Sequence, residues 1–327
     1  MSTPDTRNTA APDTVEVATP PGPVRLATQL GRGFAQLSLQ MNAWVGAVFL
    51  LAFFVGSWQA GVFGLLGTAV STATAYALGI DKGNIDLGLQ GFSGCLTGIA
   101  FLAFLGDSPS TYVLTAGGAV LCVLLHSALT TMLAPWHLPV LTAPFCIVCG
   151  AMVSAAPAFT QVWHGGSPAA LPVATATGSG YTWTDLWHGF FTNISQVGLS
   201  THWYVGLIML VGLFVAGLRQ GLAAVLGSAV AVLVAWALGV PPGAVAAGAY
   251  GYNAVLVTIA LGTLYLAGTV ASAVYTLMGA VTTTVLTASL NAYFAPFSGR
   301  TLTWPFITTT WLFLAAVPAF PRLRRAL

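Results

Sequence analysis

Seven carboxylates in 327 residues leave this chain almost no way to fold in water. They are Asp5, Asp13, Glu16, Asp81, Asp86, Asp107 and Asp185, and three of them fall in the first sixteen residues. A soluble domain keeps roughly a quarter of its residues charged because its surface faces water. Here 5% are charged and 57% are hydrophobic, so most of the surface must face lipid. In hydrocarbon every backbone N–H and C=O must be satisfied within the protein, which leaves helices or a closed barrel. The apolar runs outlast the roughly 9–11 residues of a barrel strand, so the chain reads as an all-α polytopic membrane protein. A net charge of +2 with no basic patch outside the tails excludes nucleic acid as a partner.

Ten apolar stretches long enough to span, or nearly span, about 30 Å of hydrocarbon occupy 43–57, 61–79, 89–106, 111–134, 139–157, 203–217, 220–239, 246–268, 270–291 and 303–320. Residues 1–27, rich in Thr, Pro and Ala and lacking an apolar core, read as a disordered tail without a signal peptide. A first half at 28–158 and a second at 189–320 are joined by a Gly/Ser/Pro/Thr-rich external connection at 159–188, and 321–327 form a C-terminal tail. Arg7, Arg25, Arg32, Lys82, Arg219, Arg322, Arg324 and Arg325 fall on one side of a ten-span layout, and Arg300 alone falls on the other. The positive-inside rule then places both termini in the cytoplasm. A chain of this kind without a targeting segment fits a bacterial inner membrane.

The two halves resemble each other at a near-constant offset. Gln36-Leu37-Ser38-Leu39 recurs as Gln196-Val197-Gly198-Leu199, and Gly91-Phe92-Ser93 as Gly251-Tyr252-Asn253, both 160 residues on. Thr142-Ala143-Pro144-Phe145 recurs as Thr303-Trp304-Pro305-Phe306 at 161. Five spans per half is an odd number, so duplicated halves must lie in the membrane with opposite topology. Inverted repeats place a solute path at the pseudo-twofold interface near the midplane. Ahead of the first span of each half, 28–41 and 189–202 read as half-membrane helices, tolerated where they are buried or line a cavity.

The repeated residues are therefore the candidates for a central pore. Thr142 and Thr303 each precede a proline by two residues, which bends or starts a helix and frees carbonyls for a short column of oxygens. The plainer alternative is a threonine that caps or back-bonds its own helix. Gln36 and Gln196 offer an amide at matching positions on the half-helices, for the pore mouths or for interhelical bonding. Phe92 with Leu96, and Tyr252 with Leu256, share a helix face at i, i+4 and supply apolar walls, though such residues also simply pack. A polar column between apolar walls suits a flat, small, neutral solute.

Other chemistry finds little support. No Asp, Glu, Lys or Arg stands at a span centre, where ion or proton coupling would need one. No phosphate-binding loop is present. His126 lies in a span without a counterpart in the other half and reads as a packing histidine. Cys146-Ile-Val-Cys149 has metal spacing but no second ligand pair, so Cys95, Cys122, Cys146 and Cys149 read as buried small hydrophobes. His137, His164, His188 and His202 show no metal spacing, and the Asn193-Ile194-Ser195 sequon reads as incidental. No cofactor and no enzyme activity are expected.

Leu138-Pro139-Val140-Leu141-Thr142-Ala143-Pro144-Phe145 fits the LPxxTxPF signature of the urea transporter family, and Leu302–Phe306 resembles its degenerate second copy. Gly88–Gly94, Gly251–Leu256, Arg32–Gln36 and Gln196-Val197 resemble further family motifs, so the likeness covers about 28–320. It implies a homotrimer with one pore per protomer that passes urea by facilitated, channel-like diffusion. It also implies a middle site at Thr142, Thr303, Leu96, Leu256 and Val197, with flanking sites at Gln36, Gln196, Phe92 and Tyr252. The chain departs from the family pattern at Leu39, Leu199 and Ala249, where aromatics are often found. Three readings follow: urea permeation, a channel of the same fold for acetamide, formamide, ammonia or water, and a membrane subunit without transport.

Overall fold

The computed structural model describes residues 22–163, 180–297 and 299–326. Residues 1–21 of the tail expected at 1–27 and most of the connection at 159–188, His164 included, lie outside the described residues. Within them the chain forms fourteen α-helices, and its one β-type contact is an isolated bridge between Leu266 and Arg325. The first seven are α1 (Gly22–Ala35), α2 (Ala43–Gly56), α3 (Trp58–Ala77), α4 (Lys82–Asp86), α5 (Phe92–Leu105), α6 (Pro109–Leu133) and α7 (Ala143–Ala155). The second seven repeat that order: α8 (Trp183–Ser195), α9 (Trp203–Ala216), α10 (Leu218–Ala237), α11 (Pro242–Ala246), α12 (Tyr252–Ile259), α13 (Val270–Phe294) and α14 (Trp304–Ala316).

Each of the ten apolar stretches lands on a helix, but they differ in reach. Only α3, α6, α10 and α13, among the described residues, are long and apolar enough to cross a bilayer alone. The helical run Gly22–Ser38 meets α2 at 77°, and Trp183–Gly198 meets α9 at 74°; each bent pair has the length of one further span. The helices at Phe92–Leu105, Ala143–Ala158, Tyr252–Tyr265 and Trp304–Ala319 are shorter.

Two boundaries differ from expectation. Helix α1 starts at Gly22, inside the stretch read as tail: Val24 and Leu26 are exposed and Arg25 is half-buried in its first turns, while Gln29, Gly33, Phe34 and Ala35 are buried. Helix α8 starts at Trp183, inside the stretch read as connection, behind a capping box. There Asp185 N donates to Thr182 Oγ1 at 3.3 Å and Thr182 N donates to Asp185 Oδ2 at 2.8 Å, satisfying two of the free donors at the helix start.

Glycines set the tightest packing. A Cβ on Gly46 would stand 1.6 Å from the Gly31 carbonyl oxygen, and one on its repeat partner Gly206 would stand 1.9 Å from that of Phe191. Helices α1 and α2, and likewise α8 and α9, therefore touch backbone to backbone beyond each bend. The halves meet through α2 against α9, α7 against α14, and the helical turns at 36–38 and 196–198. One apolar core runs through both halves and includes Phe34, Phe49, Phe101, Phe145 and Phe306. Outside it, Trp44, Val113, Met132, Val270 and Leu312 are exposed, as lipid-facing positions would be.

Candidate functional site: a threonine pair between the halves

The sequence Leu-Thr-x-Pro builds the centre of the site in the same way twice. Leu141 (φ 53°) and Leu302 (φ 46°) both adopt the left-handed conformation, which costs a branched side chain of this size about 1–2 kcal/mol. The kink turns the following threonine out of the chain path. Pro144 and Pro305 then fall in the first turn of α7 and α14, where a missing N–H costs nothing. The prolines thus start these helices and do not bend them.

Thr142 and Thr303 stand at the two N-cap positions, yet neither side chain caps its helix. Nor can they back-bond as Thr68, Thr97, Thr276 and Thr287 do to the carbonyl four residues earlier, since no helix precedes them. Their hydroxyls instead bond each other at 2.6 Å, 161 residues apart in sequence, with 2% and 4% of each residue exposed. The capping alternative is therefore excluded by geometry. Leu96, Val197 and Leu256 are buried in the same apolar core as Leu141 and Leu302. The N-termini of α7 and α14, with their partial positive charge, come together at this point.

The oxygen column is shorter than the prolines suggest. Trp311 Nε1 donates to the Pro139 carbonyl at 2.7 Å, and Tyr252 OH donates to the Leu302 carbonyl at 2.5 Å. The column therefore rests chiefly on the hydroxyls. The amides are held as a pair: Gln36 Nε2 donates to Leu87 O at 3.0 Å and Gln196 Nε2 to Ala247 O at 2.9 Å, again at the 160 offset.

The halves differ in the cavities beside these residues. Gln36, Leu39, Phe92, His126 and Leu141 line a cavity of about 340 Å³, together with Leu264 and Tyr265. His126 stands edge-on to Phe92 with 6.2 Å between ring centres, and its Nδ1 is buried without a partner. In the second half Tyr252 is tied to Leu302, while Gly198, Leu199 and His202 border a separate cavity of about 180 Å³ against Ile99 and Leu102 of α5.

Two residues of this centre escape the sequence reading as contributors. Asn253 Oδ1 accepts from Phe306 N at 3.3 Å while Nδ2 reaches Leu302 O at 3.4 Å, so it clamps both sides of Thr303. Its signal was the conspicuous polar residue in Gly251-Tyr252-Asn253. Cys146 Sγ lies 3.0 Å from Thr303 Oγ1, four residues past Thr142 on the helix that Thr142 precedes, and so is more than packing. Among the described residues no group of three His, Cys, Asp or Glu could hold a metal ion.

The family described as "Urea transporter" matches residues 27–318. Among curated proteins, "Urea transporter 1" of Ovis aries is 28% identical over 302 residues, covering 89% of this chain and 77% of that protein, and the Capra hircus protein matches equally. "Urea transporter 1" of Rattus norvegicus is 27% identical over 303 residues, covering 90% and 78%. A match that takes in both halves and both threonine segments has one consequence: the chain belongs to the urea transporter family.

Proposed function

We propose that this protein carries urea across the membrane passively, through a pore that runs between its two halves and narrows at Thr142 and Thr303. The buried hydroxyl contact at 2.6 Å carries the reading. Two hydroxyls that bond neither of their own helices are held facing each other across the half-to-half interface, and a planar amide can bridge such a pair. Gln36 and Phe92 would receive urea at one mouth, Gln196 and Tyr252 at the other, and Leu96, Leu256 and Val197 would wall the middle. Urea exchanges its water contacts for hydroxyl oxygens and stays neutral, whereas an ion entering this apolar neck loses most of its hydration energy. The two helix N-termini raise the barrier for cations further.

The membrane reading that goes with it has ten spans, halves of opposite topology, cytoplasmic termini and a bacterial inner-membrane location. The repeated element order at a 160-residue offset supports the duplication. A homotrimer with one pore per protomer is the assembly that the family resemblance implies.

Stopped-flow urea efflux from proteoliposomes tests the function. Flux well above that of protein-free vesicles is the expected result, and none above them refutes it. The absence of aromatics at Leu39, Leu199 and Ala249 makes acetamide, formamide, ammonia and water the solutes to run beside urea, with competition in the same vesicles ranking them.

A further inference from the structure

The two halves differ most sharply on the outer face of the α10–α12–α13 layer. In the first half the matching layer is plugged by Phe63 of α3 and Tyr112 of α6, whose rings lie 4.3 Å apart. Their repeat partners are Ala223 and Ala273. Loss of both rings leaves a groove of about 320 Å³ along α10, α12 and α13. Its walls are mostly apolar, with Thr258, Thr263 and Thr276 bonded back to their own helices, and open to the outside: Leu222, Leu226 and Leu277 are 46%, 53% and 37% exposed. Helix α12 widens here into a π-helical turn at Ala260–Tyr265, which brings Gly262 and Thr263 to the groove floor.

One end of the groove is positively charged. Arg219, which stands where the first half has Gln59, lies across Gly268, with a guanidinium nitrogen 3.3 Å from where a Cβ would sit. No side chain among the described residues bonds it. Beside it begins α13, a helix of 25 residues whose first turn, capped by Thr269, lines the groove and carries partial positive charge. The C-terminal tail runs beside this loop: Ala267 N donates to Arg324 O at 3.0 Å. The position matching Gly268 in the first half is Asp107. The aromatic plug therefore goes with an acidic rim, and the open groove goes with a basic one.

We propose that this groove binds an anionic phospholipid, with an acyl chain along Ala223, Gly262 and Ala273 and its phosphodiester held by Arg219 and the first turn of α13. A lipid is the occupant because the groove opens where the protein meets hydrocarbon while its end carries unpaired positive charge. A phosphate at a helix N-terminus beside an arginine is a favourable arrangement. The inference uses only the embedding of the chain in a bilayer and is independent of which solute the pore passes.

The test is native mass spectrometry of the full-length protein released from nanodiscs of equimolar phosphatidylglycerol and phosphatidylcholine. The wild type retains phosphatidylglycerol in preference, and Arg219→Gln lowers that preference about fivefold, the size expected for one basic side chain near an anionic headgroup. Ala223→Phe/Ala273→Tyr, which copies the first half's plug, loses retained lipid of both kinds. Unfolding temperature and solute flux equal to wild type establish that the double variant is folded. Equal retention of the two lipids by the wild type, or an unchanged preference in Arg219→Gln, overturns the proposal. So does a change in oligomeric mass in the double variant with lipid retention intact, since the groove would then be covered by a second copy.

Discussion

At the scale of single residues, Thr142 and Thr303 satisfy each other only while no solute lies between them. On the proposed path a solute must part this pair and let it re-form, so each hydroxyl must be replaceable by the solute's own groups. Valine keeps the shape and removes the hydroxyl. Thr142→Val and Thr303→Val should each lower urea flux about three- to tenfold, the worth of one neutral hydrogen bond at a buried site, and Thr142→Ser should retain most of it. Stopped-flow efflux reads this directly, and equal rates in all variants would leave the threonines a packing role. Asp86 poses a different problem, outside the spans. Arg25 grips both its oxygens at 2.9 Å and Gln29 adds a third bond, so the arginine hydrogen bond above all holds this carboxyl below the usual range. A carboxylate lowered on folding contributes stability above its unfolded pKa, near 4, and loses that contribution as pH falls through the folded value. Thermal unfolding scanned from neutral to acidic pH should show a decline below about pH 4 that is shallower in Asp86→Asn.

At the scale of elements, close backbone approach holds each bent pair together. Gly46→Ala would drive a methyl into the Gly31 carbonyl and should destabilise the fold by about 1–3 kcal/mol, as overpacking does. Gly117→Ala, on α6 with nothing near its Cβ, should be neutral or stabilise by up to about 1 kcal/mol through helix propensity. Denaturation of the two variants side by side separates crowding from propensity. The same elements mark what the sequence could express. Apolar length located all ten stretches, and the repeated Gly, Gln and Thr-x-Pro positions picked out the pair that meets at the centre. The bends of 77° and 74° were not legible, because they arise where the left-handed residues Leu39 and Leu199 stand, and leucine carries no signal for that conformation. The start of α1 was missed because a half-polar helix has the composition of a tail. The grip of Asn253 on the Thr303 loop depends on neighbours some fifty residues away, which no local pattern encodes.

At the scale of the whole molecule, two arginines separate the ends of the bundle. Helix α5 runs about 20 Å from Phe92 to Leu105, and α6 returns over about 37 Å to the segment at 134–142. Arg300 lies over the Phe104 ring at 5.0 Å, at the far end of α5. Arg325 donates to the carbonyls of His137 and Leu314, each at 2.8 Å, at the return end of α6, toward which Lys82 and the start of α5 also face. The C-terminus is thus fastened to the first half near His137, and Arg300 is left at the opposite end, the split that the proposed inverted topology requires. The native cysteines Cys95, Cys122, Cys146 and Cys149 are all buried, so a membrane-impermeant maleimide has only introduced thiols to find. Lys82→Cys should be labelled only when the cytoplasmic face is open to reagent, and Arg300→Cys only from the external face of intact cells. Labelling of both from the same face would overturn the proposed inverted arrangement, and with it the proposed pseudo-twofold relating Thr142 to Thr303. Labelling of the opposite pattern would keep that symmetry and turn the whole molecule over, placing the termini and the Arg219 groove on the external side.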